Sequence, residues 1–176
     1  GFISITMFDI DHFKKINDEF GHAFGDFVLK SFVHLVQKKL RSDDCFIRMG
    51  GEEFAVISKI DDLSQASKLA ERIRIDFGNL SLSLEGKKMH ATVSAGIAAQ
   101  EVGEADLYLL LSIADRGLYS AKQAGRDRCV IHDEQTSVVI PSNLRDPGDE
   151  IETYTDKQVA VLKRISAIAD AHKVAP

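Results

Sequence analysis

The sequence is short of several residue types, and each shortage narrows what the chain can be. Among its 176 residues there is no tryptophan, three are proline and two are cysteine. The cysteines, Cys45 and Cys129, lie within apolar strand-like runs and form no CxxC pair, so we expect buried free thiols and no cysteine-based metal site. No signal peptide and no run of about 18 apolar residues is present, which predicts that this chain carries no transmembrane segment.

The chain also lacks any excess of positive charge. Lysine and arginine number 22 against 27 aspartates and glutamates, which gives a net charge of −5. No basic stripe of the kind used by nucleic-acid-binding proteins is visible, so DNA or RNA is not an expected partner. Any phosphate group must therefore be bound by a few individually placed cations. The hydrophobic content of 44% and the charged content of 28% are typical of a soluble globular chain with a sizeable core.

The pattern of apolar and turn residues predicts one α/β domain. Strand-like runs and amphipathic helical patterns alternate along the chain: strands at 2–8, 45–49, 54–57, 80–84, 90–99 and 129–132, and helices at 27–40, 63–77 and 106–125. A short helix is expected after Asp11, which we interpret as its N-cap. Residues 17–26 are predicted to be a loop, because Gly21 and Gly25 interrupt them. This order favours an α/β fold of the α+β type, with a central, mostly antiparallel sheet flanked by helices.

The character of the sequence changes after residue 133. Residues 135–150 contain two of the three prolines and many polar residues, which predicts a linker. Residues 155–172 have an amphipathic pattern that suits a helix packed on the domain or against another chain. We therefore divide the chain into a domain over residues 1–133 and a linker with a C-terminal amphipathic helix over residues 134–176. Because the chain begins within a predicted strand, we expect that an N-terminal segment of the domain precedes it.

Acidic residues cluster where strands are predicted to end. The glycines at 50–51 form a hairpin turn between two apolar runs, since glycine adopts positive φ without steric cost, and Glu52 and Glu53 follow directly. Strand alternation is expected to direct Glu52 and Glu53 to opposite faces, and Asp9 and Asp11 to one face. If the strands are neighbours, Asp9 and one glutamate meet at the rim of the sheet, where carboxylate oxygens select Mg²⁺ or Mn²⁺. Taken singly, each of these residues is more simply explained as a solvated turn residue.

Three motifs occur together in an order that resembles one known family. Residues 50–54 read GGEEF, residues 9–26 read DIDHFKKINDEFGHAFGD, and residues 121–126 read AKQAGR. The first resembles the GGDEF/GGEEF signature of diguanylate cyclases, and the others are similar to that family's D-x-D-x-F-K-x-x-N-D-x-x-G-H-x-x-G-D and A-K-x-x-G-R segments. The resemblance extends from about residue 1 to about residue 131. It implies the nucleotide-cyclase, palm-like form of the fold.

The resemblance implies a metal site and a catalytic centre on the acidic rim. Metal ligation falls on Asp9, the backbone carbonyl of Ile10 and Glu52, with Glu53 also implicated, and the implied cofactor is Mg²⁺ or Mn²⁺. Asp9, Glu52 and Glu53 are accordingly the expected catalytic residues. Two divalent ions in such a site would polarise the α-phosphorus of a triphosphate and offset charge on the departing pyrophosphate. Glu52 is also a candidate to accept the proton of an attacking 3′-hydroxyl.

The same resemblance assigns GTP binding to a second set of residues. Asn17 and Asp26 match the pair that binds guanine, whose N1–H and 2-amino group can both donate to one carboxylate. For Asp26, an N-cap of the helix expected near residue 27 is an equal alternative. The phosphates are expected to be bound by backbone N–H groups and three cations, namely the N–H groups of His12 and Phe13 and the side chains of Lys14, Lys122 and Arg126.

Two of these cations have an alternative interpretation. Lys122 and Arg126 are four residues apart, which predicts that they share one face of the last helix near its C-terminus. Without the motif, they would be interpreted as solvated cations that stabilise the end of the helix.

A third set of residues suggests regulation. Arg41 and Asp44 form an RxxD pattern shortly before the GGEEF motif, where the family carries its inhibitory product site, and Arg72 falls where a second product-binding arginine is expected. Arginine binds guanine edges and phosphates in a bidentate manner. Feedback inhibition by cyclic di-GMP is therefore a hypothesis. Two departures from the family pattern, Met49 for a common tyrosine and Asp127 for a common asparagine, are expected to preserve activity, since neither residue is a predicted ligand.

The function implied is the condensation of two GTP molecules into cyclic di-GMP and two pyrophosphates. One domain presents one nucleotide, so catalysis requires a homodimer in which each 3′-hydroxyl attacks the opposite α-phosphate. The family implies a bacterial, cytoplasmic signalling protein, and this chain would suit the cytoplasmic domain of a larger sensor. One alternative is a catalytically weak or inactive domain that binds GTP or cyclic di-GMP and only signals. Another is a scaffold that binds a partner through its C-terminal segment.

Overall fold

The structure is a computed structural model that describes residues 1–104, 106–132 and 137–139. Strands and helices alternate along these residues: β1 (Phe2–Ile10), α1 (Phe13–Phe20), α2 (His22–Gln37), β2 (Cys45–Gly50), β3 (Glu53–Ile60), α3 (Leu63–Asn79), β4 (Leu82–Leu84), β5 (Lys87–Met89), β6 (Val93–Glu101), α4 (Leu107–Gln123), β7 (Cys129–His132) and β8 (Ser137–Val139). Apart from β8, the predicted linker and amphipathic helix lie outside the described residues. Within the described part of the chain, no helix has the length and apolar character needed to cross a membrane.

The central sheet has six strands in the order β2-β3-β1-β6-β7-β8. Every neighbouring pair is antiparallel except β6 and β7, which are parallel. The predicted α/β fold with a mostly antiparallel central sheet is therefore confirmed. A separate two-stranded sheet is formed by β4 and β5.

Helices cover both faces of the sheet, so the core has two parts. The larger part lies between the sheet and helices α1, α2 and α3, and four buried phenylalanines from four elements meet in it: Phe8, Phe32, Phe54 and Phe77. The smaller part lies between the sheet and α4, where Ile5 and Met7 of β1 pack with Leu110 and Leu118. Successive side chains of β1 point alternately into these two parts of the core, which explains why nearly the whole strand is buried.

The first helical region differs from the prediction. Residues 17–26, predicted as a loop, belong to α1 and α2 apart from Gly21, whose φ of 90° separates the two helices. Gly25 is helical and buried, and a Cβ at this position would lie 1.8 Å from Oδ1 of Asn17. This glycine therefore permits the close packing of α1 and α2 and does not end a helix. The N-cap alternative for Asp26 is wrong, because α2 begins at His22.

Three further predictions need correction. Asp11 is not the N-cap of α1: that position is His12, with a φ of 54°, and no side chain caps the helix. Cys45 is exposed, because β2 is an edge strand, whereas Cys129 is buried as expected. The predicted strand at 90–99 is β6, which begins later, at Val93.

The ends of two other elements also differ from the prediction. The turn after β4 is confined to Glu85 and Gly86, which have φ values of 50° and 80°, and Lys87 and Lys88 belong to β5, which lies outside both strands predicted in this region. The last helix, α4, begins after its N-cap Asp106, whose side chain accepts hydrogen bonds from two backbone N–H groups. It ends at Gln123, so the predicted helix is two residues too long at this end.

Candidate active site

The acidic rim forms where β1 ends beside the β2–β3 hairpin. Asp9 is paired in register with Glu53, and the backbone N–H of Ile10 donates to the carbonyl of Glu52 at 3.3 Å. The glycines between β2 and β3 have φ values of 148° and 54°, as expected for a turn that requires glycine. Glu52 lies in this turn and only Glu53 belongs to β3, so strand alternation does not govern both side chains. The predicted meeting of Asp9 with a glutamate occurs in the structure.

The turn itself is held by an arginine. Nε and Nη2 of Arg48 donate to the carbonyl of Gly51 at 3.0 and 2.7 Å. The register between β2 and β3 shifts at Arg48 and Gly50, which marks a bulge. Bulges next to a functional site re-aim the residues that follow them, and here those residues are the two glutamates.

The carboxylate of Asp9 is buried, with only 6% of the residue exposed. Nζ of Lys122, in the last turn of α4, donates to Oδ2 of Asp9 at 2.6 Å. Burial raises the pKa of Asp9 above its ordinary value, Lys122 opposes this shift by its hydrogen bond and charge, and Glu52 and Glu53 add to it by repulsion. The rim is therefore a place where negative charges are held together at an electrostatic cost, which is common at functional sites.

The donor set of the rim suits a hard divalent cation. Among the described residues, no three acidic, histidine or cysteine side chains converge as a complete metal site. Mg²⁺ rarely uses such a protein cage, since it is usually bound by one or two carboxylates together with phosphate oxygens of the substrate and water. Asp9, Glu52, Glu53 and the carbonyl of Ile10 provide oxygen ligands of this kind, so these residues fit a metal that is shared with a triphosphate.

The N-terminus of α1 lies directly after the rim. The first N–H groups of an α-helix have no partner within the helix, and no side chain caps α1. Phe13 and Lys14 are its first two residues, and His12 precedes them in a left-handed conformation. This end of α1 can therefore bind an anion through backbone N–H groups and one exposed lysine.

The predicted guanine-binding residues lie on two neighbouring helices. Asn17 is in α1 and Asp26 is in α2, next to Gly25. The close approach of Asn17 Oδ1 to the Cα of Gly25 brings these two polar residues to one place. Asp26 is exposed and Asn17 is half-buried, so both can be reached from solvent.

Lys122 and Arg126 do not share a helix face, contrary to prediction. Lys122 lies in α4, but Arg126 lies beyond its end, and both Arg126 and Asp127 have positive φ values of 65° and 46°. The backbone N–H of Arg126 donates to the carbonyl of Ala121 at 3.0 Å. Gly125, with a φ of 118°, allows the chain to leave the helix.

Asp11 has a role that the sequence did not reveal. Its carboxylate accepts hydrogen bonds from the side chains of Thr92 and Ser94, each at 2.7 Å, and from the backbone N–H of Asp127 at 3.0 Å. Asp11 thus joins the end of β1 to the segment that carries Arg126. Its spacing of two from Asp9, at the end of a buried strand, indicated a shared face but not these partners.

A buried ion pair on α3 extends this network. Nε and Nη2 of Arg74 donate to the two carboxylate oxygens of Glu71 at 2.9 and 2.8 Å, and Nη1 donates to Oδ1 of Asp127 at 2.9 Å. Burial alone lowers the pKa of Arg74, but Glu71 and Asp127 outweigh it and raise the pKa above its ordinary value. The sequence signal for this pair was available, since Ser67, Glu71 and Arg74 are polar residues at helical spacing beside the apolar stripe of α3.

The three predicted regulatory residues line one cavity. Its volume is about 220 Å³, and it lies between α3 and the segment after α2, with Arg41, Asp44 and Arg72 in its wall. The backbone N–H of Arg41 donates to Oδ2 of Asp44 at 2.8 Å, which fixes a turn. Lys39 and Lys68 also line the cavity and add positive charge to it.

Comparisons with known proteins identify the family of this domain. The model of the family "Diguanylate cyclase, GGDEF domain" matches residues 2–128. Diguanylate cyclase DgcP of Pseudomonas aeruginosa is 43% identical over 128 residues, which are 73% of this chain and 19% of that protein. Diguanylate cyclase A of Treponema denticola is 39% identical over 129 residues, which are 73% of this chain and 35% of that protein. The chain thus spans only about a fifth to a third of the length of these curated relatives.

Solved structures give the same result. The active GGEEF domain of a diguanylate cyclase from Vibrio cholerae has a TM-score of 0.69 at 34% identity and covers 76% of this chain and 85% of that chain. The GGDEF domain of DgcB from Caulobacter crescentus, in complex with c-di-GMP, has a TM-score of 0.69 at 31% identity, and the match covers 74% of this chain and 77% of that chain. The match over residues 2–128 includes the rim, α1 and the segment of Arg126, and it shows that this chain belongs to the diguanylate cyclase GGDEF domain family.

Proposed function

We propose that this chain is a diguanylate cyclase domain that condenses two GTP molecules into cyclic di-GMP. The observation that carries the proposal is the buried Asp9 carboxylate, which lies opposite Glu53, beside Glu52 and in contact with Lys122. A buried carboxylate beside two half-buried glutamates is costly for folding alone, and this cost is explained if the site binds a metal and a triphosphate. Family membership and the names of the relatives support the same activity.

Asp9, Glu52 and Glu53, with the carbonyl of Ile10, would hold Mg²⁺ or Mn²⁺ in this proposal. When bound, the metal would polarise the α-phosphate and offset the charge of the leaving pyrophosphate. Glu52 is the proposed acceptor of the 3′-hydroxyl proton, because it lies in the turn at the open end of the rim. The hydroxyl oxygen forms the new bond to the α-phosphorus, and the bond from that phosphorus to pyrophosphate breaks.

The remaining residues are proposed to bind and orient GTP. Asp26 would accept hydrogen bonds from N1–H and the 2-amino group of guanine, and Asn17, half-buried against Gly25, would bind the same base from α1. A site built this way rejects adenine, which would leave the Asp26 carboxylate unpaired. The phosphates would be bound by the start of α1 and by three side chains: the N–H groups of His12 and Phe13, and Lys14, Lys122 and Arg126.

We also propose that two chains are needed for each turnover. One domain holds one GTP, and attack of its 3′-hydroxyl on its own α-phosphate would give a cyclic mononucleotide instead of cyclic di-GMP. A homodimer with facing sites brings each hydroxyl to the opposite phosphate, and this proximity lowers the barrier. A cytoplasmic location, with this chain as one part of a longer sensor, is the setting that this proposal favours.

Product inhibition is the regulatory part of the proposal. The cavity between Arg41, Asp44 and Arg72 is lined by two arginines and three lysines, and cyclic di-GMP carries two phosphates and two guanine edges. The related DgcB domain crystallised in complex with c-di-GMP supports a ligand of this class. Binding in this cavity would limit synthesis when the product accumulates.

The test is product formation by concentrated protein incubated with GTP and Mg²⁺ or Mn²⁺, with the products separated by chromatography. We expect cyclic di-GMP from the parent, none from Glu52→Ala, and parental amounts from Glu104→Ala, which removes an exposed glutamate far from the rim in sequence. GTP binding without any product, also in a longer protein that includes the preceding segment, would refute the enzyme. It would support the alternative of a signalling domain that only binds nucleotides.

A further inference from the structure

Arg74 and Glu71 are charged residues in a place where apolar side chains are usual. Glu71 is fully buried and Arg74 is 4% exposed, in the middle of α3. A buried ion pair is weak evidence of stability, because apolar residues of similar volume often serve the fold equally well. Its presence therefore calls for a second role, and the edge of the guanidinium that does not face Glu71 indicates one.

That edge reaches the segment of Arg126. Nη1 of Arg74 donates to Oδ1 of Asp127 at 2.9 Å and lies 3.4 Å from the carbonyl of the same residue. Asp127 is also bound from the opposite side, where its N–H donates to Asp11. One residue is thus held between α3 and the end of β1.

The conformation of this segment needs such support. Arg126 and Asp127 both have positive φ, and for residues other than glycine each such conformation costs roughly 1–2 kcal/mol. Two in succession persist only where neighbouring groups over-determine them. Neighbouring groups supply this support: Arg74 and Asp11 bind Asp127, and Nε of Arg128 donates to the carbonyl of Arg126 at 2.8 Å.

We propose that Arg74 and Asp127 are positioning residues that hold Arg126 toward the outer phosphates of GTP. The inference rests on the proposed function, in which Arg126 binds those phosphates. Glu71 holds the guanidinium of Arg74 in place, and this guanidinium holds Asp127. Asp127 in turn fixes the backbone from which the Arg126 side chain extends. None of these three residues contacts the nucleotide in this scheme.

Calorimetric binding with Mg²⁺ tests the scheme, using a non-hydrolysable GTP analogue and GMP. Asp127→Ala should weaken binding of the analogue about 10-fold, the effect of losing one hydrogen bond to a charged group. GMP lacks the outer phosphates, so its affinity should not change. Asp127→Asn should restore binding of the analogue, because asparagine accepts the same hydrogen bond and tolerates positive φ.

A second variant separates the effect of the contact between Arg74 and Asp127 from the conformational preference of residue 127. Glu71→Leu/Arg74→Met removes the buried pair without leaving an unpaired charge, and it keeps Asp127 itself. We expect the same loss for the analogue as in Asp127→Ala, with a melting temperature near that of the parent. The matched control is Asp76→Ala, which breaks another ion pair of α3, with Lys39, at a similarly half-exposed aspartate.

Each outcome decides between separate claims. Parental affinity of the analogue in both Asp127→Ala and the double variant would overturn the positioning role. An equal loss for the analogue and GMP, or the same loss in Asp76→Ala, would also overturn it, because the effect would then be a general loss of structure. A parent that binds the analogue but forms no cyclic di-GMP would overturn the proposed function and leave the positioning role supported by its own measurements.

Discussion

The two thiols of the chain lie in opposite environments. Cys45 is exposed on the edge strand β2, and Cys129 is fully buried in β7. Burial raises the pKa of the Cys129 thiol well above its ordinary value, and the carboxylate of Glu71 raises it further. Because the thiolate is the reactive form, Cys129 should remain inert at pH values where Cys45 reacts.

We therefore expect one alkylated cysteine per native chain. With iodoacetamide at pH 8.5, mass spectrometry of peptides should find the label on Cys45, and on Cys129 only after unfolding in denaturant. Cys45→Ser is the control and should leave the native protein unlabelled. Rapid labelling of Cys129 in the native state would contradict its burial.

The contact between Gly25 and Asn17 gives a second prediction. A Cβ at position 25 would collide with the side-chain oxygen of Asn17, which can rotate away at small cost to the fold. Gly25→Ala should therefore weaken GTP binding about 10-fold, as for one lost hydrogen bond to a charged or polar partner, while the melting temperature stays near that of the parent. Calorimetry and thermal unfolding measure the two effects.

The control for this substitution is Gly78→Ala, also in a helix. A Cβ there meets nothing within 4 Å, so alanine should stabilise α3 by up to about 1 kcal/mol and leave GTP binding unchanged. If Gly25→Ala bound GTP as tightly as the parent, GTP binding would not require Asn17 in its present position.

At the scale of single residues, the sequence predicted which residues lie at the site better than it predicted their hydrogen-bond partners. Acidic residues after a strand and a double glycine were enough to place Asp9 beside a glutamate. The partners of Asp11 lie 81 to 116 residues away in the chain, and Arg74 is 53 residues from Asp127. No local pattern in the sequence indicates contacts between residues so far apart. Gly25 was misread because a glycine needed for close packing looks the same in sequence as a glycine that ends a helix.

Among the elements, β6 and α4 make the closest approach of backbone to backbone that the described glycines reveal. A Cβ on Gly96 of β6 would lie 2.0 Å from the carbonyl oxygen of Ala114 and 2.1 Å from the backbone nitrogen of Leu118. These atoms belong to the backbone of α4 and cannot rotate away. On the other side of the same contact, a Cβ on Gly117 would meet its neighbours at 3.1 to 3.2 Å.

This difference predicts an order of stabilities. Gly96→Ala should lower the free energy of unfolding by about 3 kcal/mol, because α4 must move off the sheet, and Gly117→Ala by about 1 kcal/mol or less. Urea denaturation followed by circular dichroism measures both. If Gly117→Ala proved as costly as Gly96→Ala, the contact would not have the geometry described.

The long elements were predictable because their patterns are strong. The apolar periods of α3 and α4 and the β-rich run of β1 gave the type of each element and most of its extent. The short elements were not predictable: β5 and β8 have three residues each, too few to show a period. The division between α1 and α2 depends on the backbone of Gly21, which the sequence marks only as a generic break.

On the scale of the whole molecule, the proposed reaction needs two chains. Its rate per chain should therefore rise with protein concentration until the dimer is saturated, as mass action requires. Initial rates of cyclic di-GMP formation over a dilution series, with light scattering for the molecular mass, test this. A constant rate per chain at concentrations where only monomer is present would contradict the two-chain mechanism.

The proposed product inhibition also concerns the whole molecule, because the cavity lies at one end of β3, at Ser58 and Lys59, and the rim lies at the other end, at Glu53. Arg41→Ala should raise the concentration of cyclic di-GMP needed for half-inhibition by about 10-fold or more, the effect of losing a bidentate charged contact. Arg116→Ala, an exposed arginine of α4, should leave inhibition unchanged. Equal inhibition of the parent and Arg41→Ala would remove this cavity as the product site.

The fold class was predictable from the sequence, but the strand order was not. Alternating patterns indicate a sheet with helices, and they do not say which strands are neighbours. The central position of β1, between β3 and β6, follows from pairings such as Phe2 with Ile60 and Phe2 with Glu101.

This arrangement has a consequence for how the protein is made. Among the described strands β1 leaves the ribosome first, and it needs both of its neighbours, of which the second, β6, is complete only at residue 101. Until then β1, in which six of the nine residues are apolar, has one or both edges open, and β-rich segments of this kind tend to aggregate. Most of the sheet pairing is remote in sequence, so folding should be slow for a domain of this size. During synthesis β1 therefore depends on chaperones, or on the speed of translation, for protection until the centre of the sheet can close.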